Sequence, residues 1–280
     1  MAQKSVVAIH DISGFGRCSL TVALPIISAT GVKTSVIPTA VLSTHTGGFK
    51  SNTFHDLTAD IEPIAEHWKK EGISFDAIYT GYLCSASQVY SVMSAIEHIE
   101  TKETVLIVDP VMGDNGYSYS GFSESFPSYM LRLCKKADII TPNITEACML
   151  TDISYKNGAY DTDYIERLIN KLYELTNSKV VLTGVSFDER KIGAAIFDGE
   201  EISYVFAEKQ DKSFHSTGDI FASVLTGAIL NGRSLKSAAQ IAVNFISLCI
   251  KNTINDTTDP RYGVNFEPLI PTLIKYLDLN

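Results

Sequence analysis

The sequence has no long apolar run. No stretch approaches the roughly 20 apolar residues that a membrane-spanning helix needs, which argues against such a span. The opening "MAQKSVVAIHD" holds an apolar run too short for the core of a signal peptide, so a cytoplasmic location is expected. Positive charge is scarce as well: 23 Lys and Arg stand against 32 Asp and Glu, a formal net charge of -9. Such a chain has no overall field to draw nucleic acid or an anionic membrane surface. If its substrate is an anion, local groups or a metal must meet it. Cysteine is sparse and scattered: Cys18, Cys84, Cys134, Cys148 and Cys249 are odd in number and form no Cys-x-x-Cys pair. That excludes a disulfide framework and fits free thiols in a reducing compartment. Linkers, internal repeats and low-complexity tracts are absent, so one domain over 1–280 is expected.

What is present is alternation. Apolar, β-rich runs at 5–10, 33–42, 75–83, 103–110, 137–143 and 179–185 are separated by helical patterns at 19–30, 56–70, 86–99, 125–136, 143–150 and 161–175. Strands at 192–198 and 201–207 flank the turn signal Asp198-Gly199. Helices at 217–231 and 234–252 close the main body. This order predicts an α/β fold with a mostly parallel central sheet and helices on both faces. Ligands of such sheets gather at the carboxyl ends of the strands. There lie His10-Asp11, Ser43 to Gly48, Thr80-Gly81-Tyr82, Asp109 to Asp114, Thr141-Pro142-Asn143 and Thr183-Gly184, all polar or glycine. The Gly/Thr/Ser-rich stretch 43–53 reads as a mobile loop.

Two phosphate signatures fail. The chain has no G-x-x-x-x-G-K-[ST], and in "SGFGRCS" (13–19) Ser19 stands where a dinucleotide fingerprint needs its third glycine. That disfavours a dehydrogenase. "HSTGDIFAS" (215–223) offers another anion site: a helix N-terminus with unpaired N–H groups, and Gly218 without a Cβ in the way. Asp219 in the first turn is either a helix-capping acid or a catalytic base beside a phosphate. Asp109 and Asp114 are either turn-forming aspartates or part of a Mg²⁺ site that keeps waters and uses one or two carboxylates. In "ITPNITEA" (140–147), Asn143 or Thr145 could cap a helix with Glu146 as its first-turn acid, or Glu146 could reach a metal-bound water.

Taken together, "HTGG" (45–48), "YTGY" (79–82), "DPVMGD" (109–114), "ITPNITEA" (140–147), "VVLTG" (180–184) and "STGDIFAS" (216–223) resemble the vitamin B6 kinases of the ribokinase-like superfamily. The matches keep the family's order across nearly the whole chain. The resemblance implies a ribokinase-like three-layer sandwich, Mg²⁺ with ATP as co-substrate, a B6 vitamer as phosphoryl acceptor at its 5′-hydroxymethyl group, and a homodimer. It implies Asp219 as base, with Thr217 and Gly218 as the anion hole. Asp11, Thr46 and Tyr82 would line the vitamin pocket. Asp109, Asn143, Glu146, Thr183, Gly184, Ser216 and Thr217 would meet the nucleotide. Asp114 and Glu146 would organise Mg²⁺, while Asp109, Thr141 and Thr183 would hold a monovalent cation such as K⁺. Lys50, Lys209 and Lys212 are further candidates for phosphate contacts. Ser216 departs from the family's glycine, and "HDISGFG" (10–16) is closer to hydroxymethylpyrimidine kinases. The alternatives are therefore a hydroxymethylpyrimidine kinase, less readily a sugar kinase, or a non-catalytic B6- or nucleotide-binding regulator.

Overall fold

The computed structural model describes residues 2–212, 214–256 and 259–279. The first half runs β1 (Ser5–Ser13), α1 (Leu20–Ala29), β2 (Lys33–Leu42), β3 (Phe54–Asp56), α2 (Thr58–Lys70), β4 (Ala77–Thr80), α3 (Ala86–Ile99) and β5 (Val105–Val108). A small hairpin follows, β6 (Gly113–Asp114) and β7 (Tyr117–Ser118), and then α4 (Phe126–Cys134), β8 (Ile139–Ile140), α5 (Ile144–Thr151) and α6 (Thr162–Thr176). The last part holds β9 (Lys179–Val185), β10 (Lys191–Phe197), β11 (Ile202–Glu208), α7 (Thr217–Leu230), α8 (Leu235–Ile254) and α9 (Ile270–Tyr276).

Nine strands form one sheet in the order β11-β10-β9-β8-β5-β4-β1-β2-β3. The run from β9 to β2 is parallel; β3 and β10 run against it, and β11 pairs antiparallel with β10 at the far edge. Period-two alternation sends neighbouring residues to opposite cores. Val7 and Ile9 pack with α2 to α6, whereas Val6 and Ala8 pack with α1, α7, α8 and α9. This is the three-layer arrangement that the alternation predicts.

The strand order also locates a crevice. From β1 the chain moves to β2 and β3 on one side, then returns to place β4 on the other. Crossovers diverge at such a point, leaving a gap at the strands' carboxyl ends. His10, Asp11 and Gly81 lie there.

Three elements differ from the expectation. β3 is a short, fully exposed edge strand, and β6 and β7 have two residues each, so none carries an apolar period. The C-terminal segment carries Pro260, Pro268 and Pro271, which interrupt any helical pattern in the sequence. It nonetheless buries Val264, Phe266, Leu273 and Leu277 against the α1/α7/α8 layer. The segment is thus part of the core, and Phe266 is 1% exposed. Phe266→Ala is expected to cost about 3–5 kcal/mol in urea unfolding, the usual range for a deleted core aromatic. A change below about 1 kcal/mol would show that the C-terminal segment is merely laid on the surface.

Candidate active site

Two elements converge on Asp219 of α7. From β1, His10 Nε2 lies 3.1 Å from Asp219 Oδ1, and His10 Nδ1 lies 2.9 Å from Asp11 Oδ1. From the start of α1, the Ser19 N–H donates to Asp219 Oδ2 at 2.8 Å. Ser19 can do so because its backbone is turned to φ 57°, an uncommon value for a non-glycine residue. The "SGFGRCS" segment therefore aims an amide at a carboxylate. Asp219 in turn satisfies the N-terminus of α1 rather than capping its own helix.

Two local irregularities make the cluster possible. Between His10 and Ile12 the β1–β2 register slips, a bulge-like feature that re-aims side chains. Gly81 supplies the space: a Cβ there would lie 2.0 Å from His10 Cδ2. The imidazole thus occupies the volume that a side chain at 81 would need.

The charges follow from this packing. Burial alone would lower the His10 pKa, but the hydrogen bonds to Asp11 and Asp219 outweigh it and raise it from 6.5 to about 10. His10 is an imidazolium with a carboxylate at each nitrogen. The Asp11 N–H also lies 3.0 Å from Nδ1, which is then a close approach rather than a bond. Burial opposes the charge on Asp219, yet His10 and the Ser19 amide hold it below its ordinary range. Asp109 goes the other way: burial, and then the Asp219 charge, push it up to about 7.

α7 opens beside these groups. Its first internal bond runs from Ile220 N–H to the Ser216 carbonyl at 3.0 Å, and Ser216 provides no side-chain cap. The amides of Thr217, Gly218 and Asp219 precede that ladder, as an anion-binding helix start requires. Gly218 is exposed, and a Cβ there would sit 3.9 Å from Asp109 Oδ2. Ser216 has φ 73°, the left-handed conformation for which the family's glycine is suited. Its hydroxyl donates to the Arg17 carbonyl.

The nucleotide and metal candidates divide into two groups. Thr141 follows β8, its N–H bonded to Val108 O just before Asp109, and its hydroxyl is buried without a partner. Thr183 lies next to it through an isolated bridge to Asn143. Gly184 is exposed at φ 77° where the β9–β10 register shifts. These backbone and hydroxyl groups line up along the carboxyl edge. Asn143 and Glu146, in contrast, spend their polar atoms on the backbone. Asn143 Oδ1 accepts from Glu146 N–H at 2.9 Å, and its Nδ2 donates to Gly113 O at 2.8 Å. Glu146 accepts from Asn143 N–H at 2.8 Å and Met112 N–H at 3.1 Å. This is the capping box that the sequence allowed, extended to hold the loop after β5. Burial, and then Asp109, raise the Glu146 pKa well above its ordinary value.

Asp114 is exposed and bonded to Asn115. Among the described residues, the His and carboxylate trio with ligand atoms mutually within 4.8 Å is Glu62, Glu66 and His98, on α2 and α3. Asp109, Asp114 and Glu146 do not form such a trio. A cation among them would need phosphate and water ligands as well. Lys50, Lys209 and Lys212 are exposed and take part in no ion pair among the described residues.

On the acceptor side, Tyr82 is half-buried against Phe122, with ring centroids 5.7 Å apart, and Phe122 stacks on Phe126. Thr46 is exposed on the 43–53 loop, which carries no helix or strand. That loop is closed at its neck by Ser43 N–H to Thr53 O, 3.2 Å. It is tied to the C-terminal segment by His45 Nε2 donating to Arg261 O, 2.6 Å. Sequence reasoning left the role of His10 open, and it missed Ser19, His45, Arg261 and Phe122. His10 ends a strand and His45 opens the "HTGG" match, and those were the signals available.

The fold and the centre are those of a ribokinase-like phosphotransferase. The chain belongs to the phosphomethylpyrimidine kinase family, whose sequence model matches residues 24–261. A Bacteroides thetaiotaomicron protein provisionally described as a phosphomethylpyrimidine kinase, crystallised with pyridoxal, is 37% identical at a TM-score of 0.90, covering 97% of this chain and 96% of that one. Pyridoxal kinase from Lactobacillus plantarum is 30% identical at a TM-score of 0.89, covering 98% of each chain. The hydroxymethylpyrimidine/phosphomethylpyrimidine kinase of Bacillus subtilis is 28% identical over 225 residues, 79% of this chain and 78% of that protein.

The Ser216 geometry gives a stability test. Ser216→Gly removes a left-handed cost of about 1–2 kcal/mol but also a hydroxyl bond of about 1 kcal/mol, so stability should change little. Ser216→Ala keeps the backbone cost and loses the bond, and should fall by about 1 kcal/mol. Urea unfolding that finds Ser216→Ala as stable as the wild type would show that the hydroxyl is idle.

Proposed function

We propose that the chain transfers the γ-phosphoryl group of ATP to the 5′-hydroxymethyl group of a B6 vitamer: pyridoxal, pyridoxine or pyridoxamine. One observation carries the reading: a buried Asp219, bonded to His10 and the Ser19 amide, in the first turn of a helix whose leading amides have no side-chain cap. The similarity to the Lactobacillus kinase along its whole length, and to the Bacteroides protein holding pyridoxal, supports the choice of acceptor.

In this reading the acceptor ring lies against Tyr82, with Thr46 at its polar edge; Asp11, expected there too, is buried with its oxygens on His10 and Ser13 and acts from behind the pocket. Asp219 takes the hydroxymethyl proton. The freed oxygen lone pair forms the new bond to the γ-phosphorus. The bond from that phosphorus to the bridging oxygen breaks, and ADP leaves with the electron pair. Phosphoryl transfer is dominated by positioning and charge neutralisation, so a weak base is adequate if well aimed. The Thr217, Gly218 and Asp219 amides receive charge on the transferring oxygens. The loop 43–53 closes over the acceptor and limits ATP hydrolysis by water.

The residues also suit cations. Thr141 offers a buried hydroxyl with no protein partner beside the end of β5, which fits a monovalent ion held with Asp109 and Thr183. Asp114 is exposed where a hydrated Mg²⁺ could be met through one carboxylate, with Glu146 orienting the loop. Bound there, Mg²⁺ would offset repulsion between polyphosphate and an acidic protein. Thr183 and Gly184 would lie along the nucleotide phosphates, and the lysines at 50, 209 and 212 are free to approach them. The reading includes a cytoplasmic homodimer, as the family resemblance implies, and the five cysteines are free thiols.

A second reading, phosphorylation of hydroxymethylpyrimidine, is favoured by the Bacillus relative and needs the same chemistry on a smaller ring. Incubating the protein with Mg-ATP and each B6 vitamer, hydroxymethylpyrimidine or ribose, with products followed by mass, should give a phosphorylated vitamer. Selective phosphorylation of the pyrimidine would replace the acceptor, and nucleotide binding without any product would leave a regulator. Asp219→Asn should fold and bind ATP but lose at least about 100-fold in kcat; near-normal turnover would remove it as the base. Asp114→Ala should raise the Mg²⁺ concentration needed for half-maximal rate, and an unchanged Mg²⁺ dependence would count against its role.

A further inference from the structure

We infer that His10 is the positioning residue for phosphoryl transfer: clamped between Asp11 and Asp219, it fixes the direction of the Asp219 carboxylate and keeps that carboxylate ionised between turnovers. The inference rests on Asp219 being the base, as proposed above.

The geometry is that of a built device. His10, Asp11 and Asp219 are 1%, 3% and 9% exposed, so water does not separate them. Each imidazole nitrogen faces one carboxylate, at 2.9 Å and 3.1 Å. The ring cannot swing away. Gly81 closes on its Cδ2 edge, and Tyr79 meets it edge-on with centroids 6.2 Å apart. Asp11 is itself held, its Oδ2 accepting from Ser13 Oγ at 3.2 Å. Asp219 Oδ2 is taken by Ser19, so His10 sets the placement of Oδ1.

The electrostatics give the clamp its purpose. The groups around it are Asp11 on β1, Tyr79 on β4, Tyr82 after β4, Asp109 after β5, Cys18 before α1 and Asp219 on α7. Burial, and then the charges of Asp219 and Asp11, keep the Cys18 thiol neutral; burial, and then Asp109 and Asp219, do the same for the Tyr79 phenol. Asp11 and Asp109 repel negative charge on Asp219. Among the described residues, His10 is the cation in ion-pair contact with it. Without that charge, burial would drive Asp219 to bind a proton in the resting enzyme, and a protonated carboxyl cannot accept another. The signs are definite. Asp219 is held low by His10, so removing the cation moves the acid limb of the kcat profile to higher pH.

The test compares wild type, His10→Gln, Asp11→Asn and Asp219→Asn by kcat and KM for ATP across acidic to neutral pH, with folding checked by circular dichroism. His10→Gln is expected to lower kcat at least about tenfold at neutral pH. It should move the acid limb up by about one pH unit or more, with KM for ATP within about twofold of wild type. Asp11→Asn weakens the hold on the imidazolium and should shift the limb the same way by less, which keeps the test alive if His10→Gln does not fold. An acid limb in the wild-type position in either folded variant would overturn the inference, as would parallel losses in kcat and ATP affinity. Asp219→Asn separates the two claims. If it stays active, the base itself is misassigned. If it is inactive while His10→Gln keeps the wild-type limb, only the role of His10 falls.

Discussion

The buried bond between His10 and Asp219 joins positions 209 apart in sequence and sets the relation of the sheet to its helical layer. β1 brings the imidazole, α7 brings the carboxylate, and α1 brings the Ser19 amide. A buried ion pair of this kind is weak grounds for stability, because desolvation offsets most of the attraction. Its value lies in uniqueness: one placement of α7 against β1 satisfies all three partners. Breaking it would leave an uncompensated charge in a dry site. The strained φ at Ser19 and the absent Cβ at Gly81 are local costs that this placement accounts for.

An acidic protein that handles phosphates must solve repulsion locally. In the proposed mechanism backbone amides do so at the transferring group. The α7 amides offer partial positive charge without a competing side-chain cap. The two nearby carboxylates are driven apart in acidity: Asp219 is held low by an imidazolium, and Asp109 rises to about 7 through burial and the Asp219 charge. A pair of acids whose environments separate their pKa values is a recurrent sign of divided roles. Asp219 is the one whose charged form is favoured and aimed, while Asp109 is driven toward its protonated form.

Much of this was legible in the sequence. Strands buried on both faces and separated by amphipathic helices fixed the sheet, and α3 and β9 coincide with their expected bounds. The strand-end rule gathered His10, Gly81, Asp109, Thr141 and Thr183 on one edge, because the order of a parallel sheet follows from its crossovers. What could not be read depended on contacts between distant segments. Nothing in "HDISG" announces a partner in "STGDI". Nothing in "SGFGRCS" tells that its last amide faces Asp219 rather than a dinucleotide. Short elements without an apolar period, such as β3 and the β6–β7 hairpin, carry no signal to detect. The C-terminal segment hid for a related reason: its prolines mask the pattern, although Phe266 and Leu273 are fully committed to the core.

The most informative discrepancy concerns Asn143 and Glu146. As residue types at a strand end they suit a metal or nucleotide, and the same two letters three apart also spell a capping box. The structure realises the box and extends it, with Glu146 reaching Met112 and Asn143 reaching Gly113. Their effect on the site is therefore exerted through the loop that follows Asp109. That loop is a short irregular segment ending in a two-residue hairpin strand, and by itself it has little to hold its shape. Two side chains from α5 pin it, so the position of Asp114 depends on residues that offer few free atoms to a ligand. A motif shared with a kinase family can mark the support of a site as readily as its contacts, and a burial and hydrogen-bond census tells the two apart.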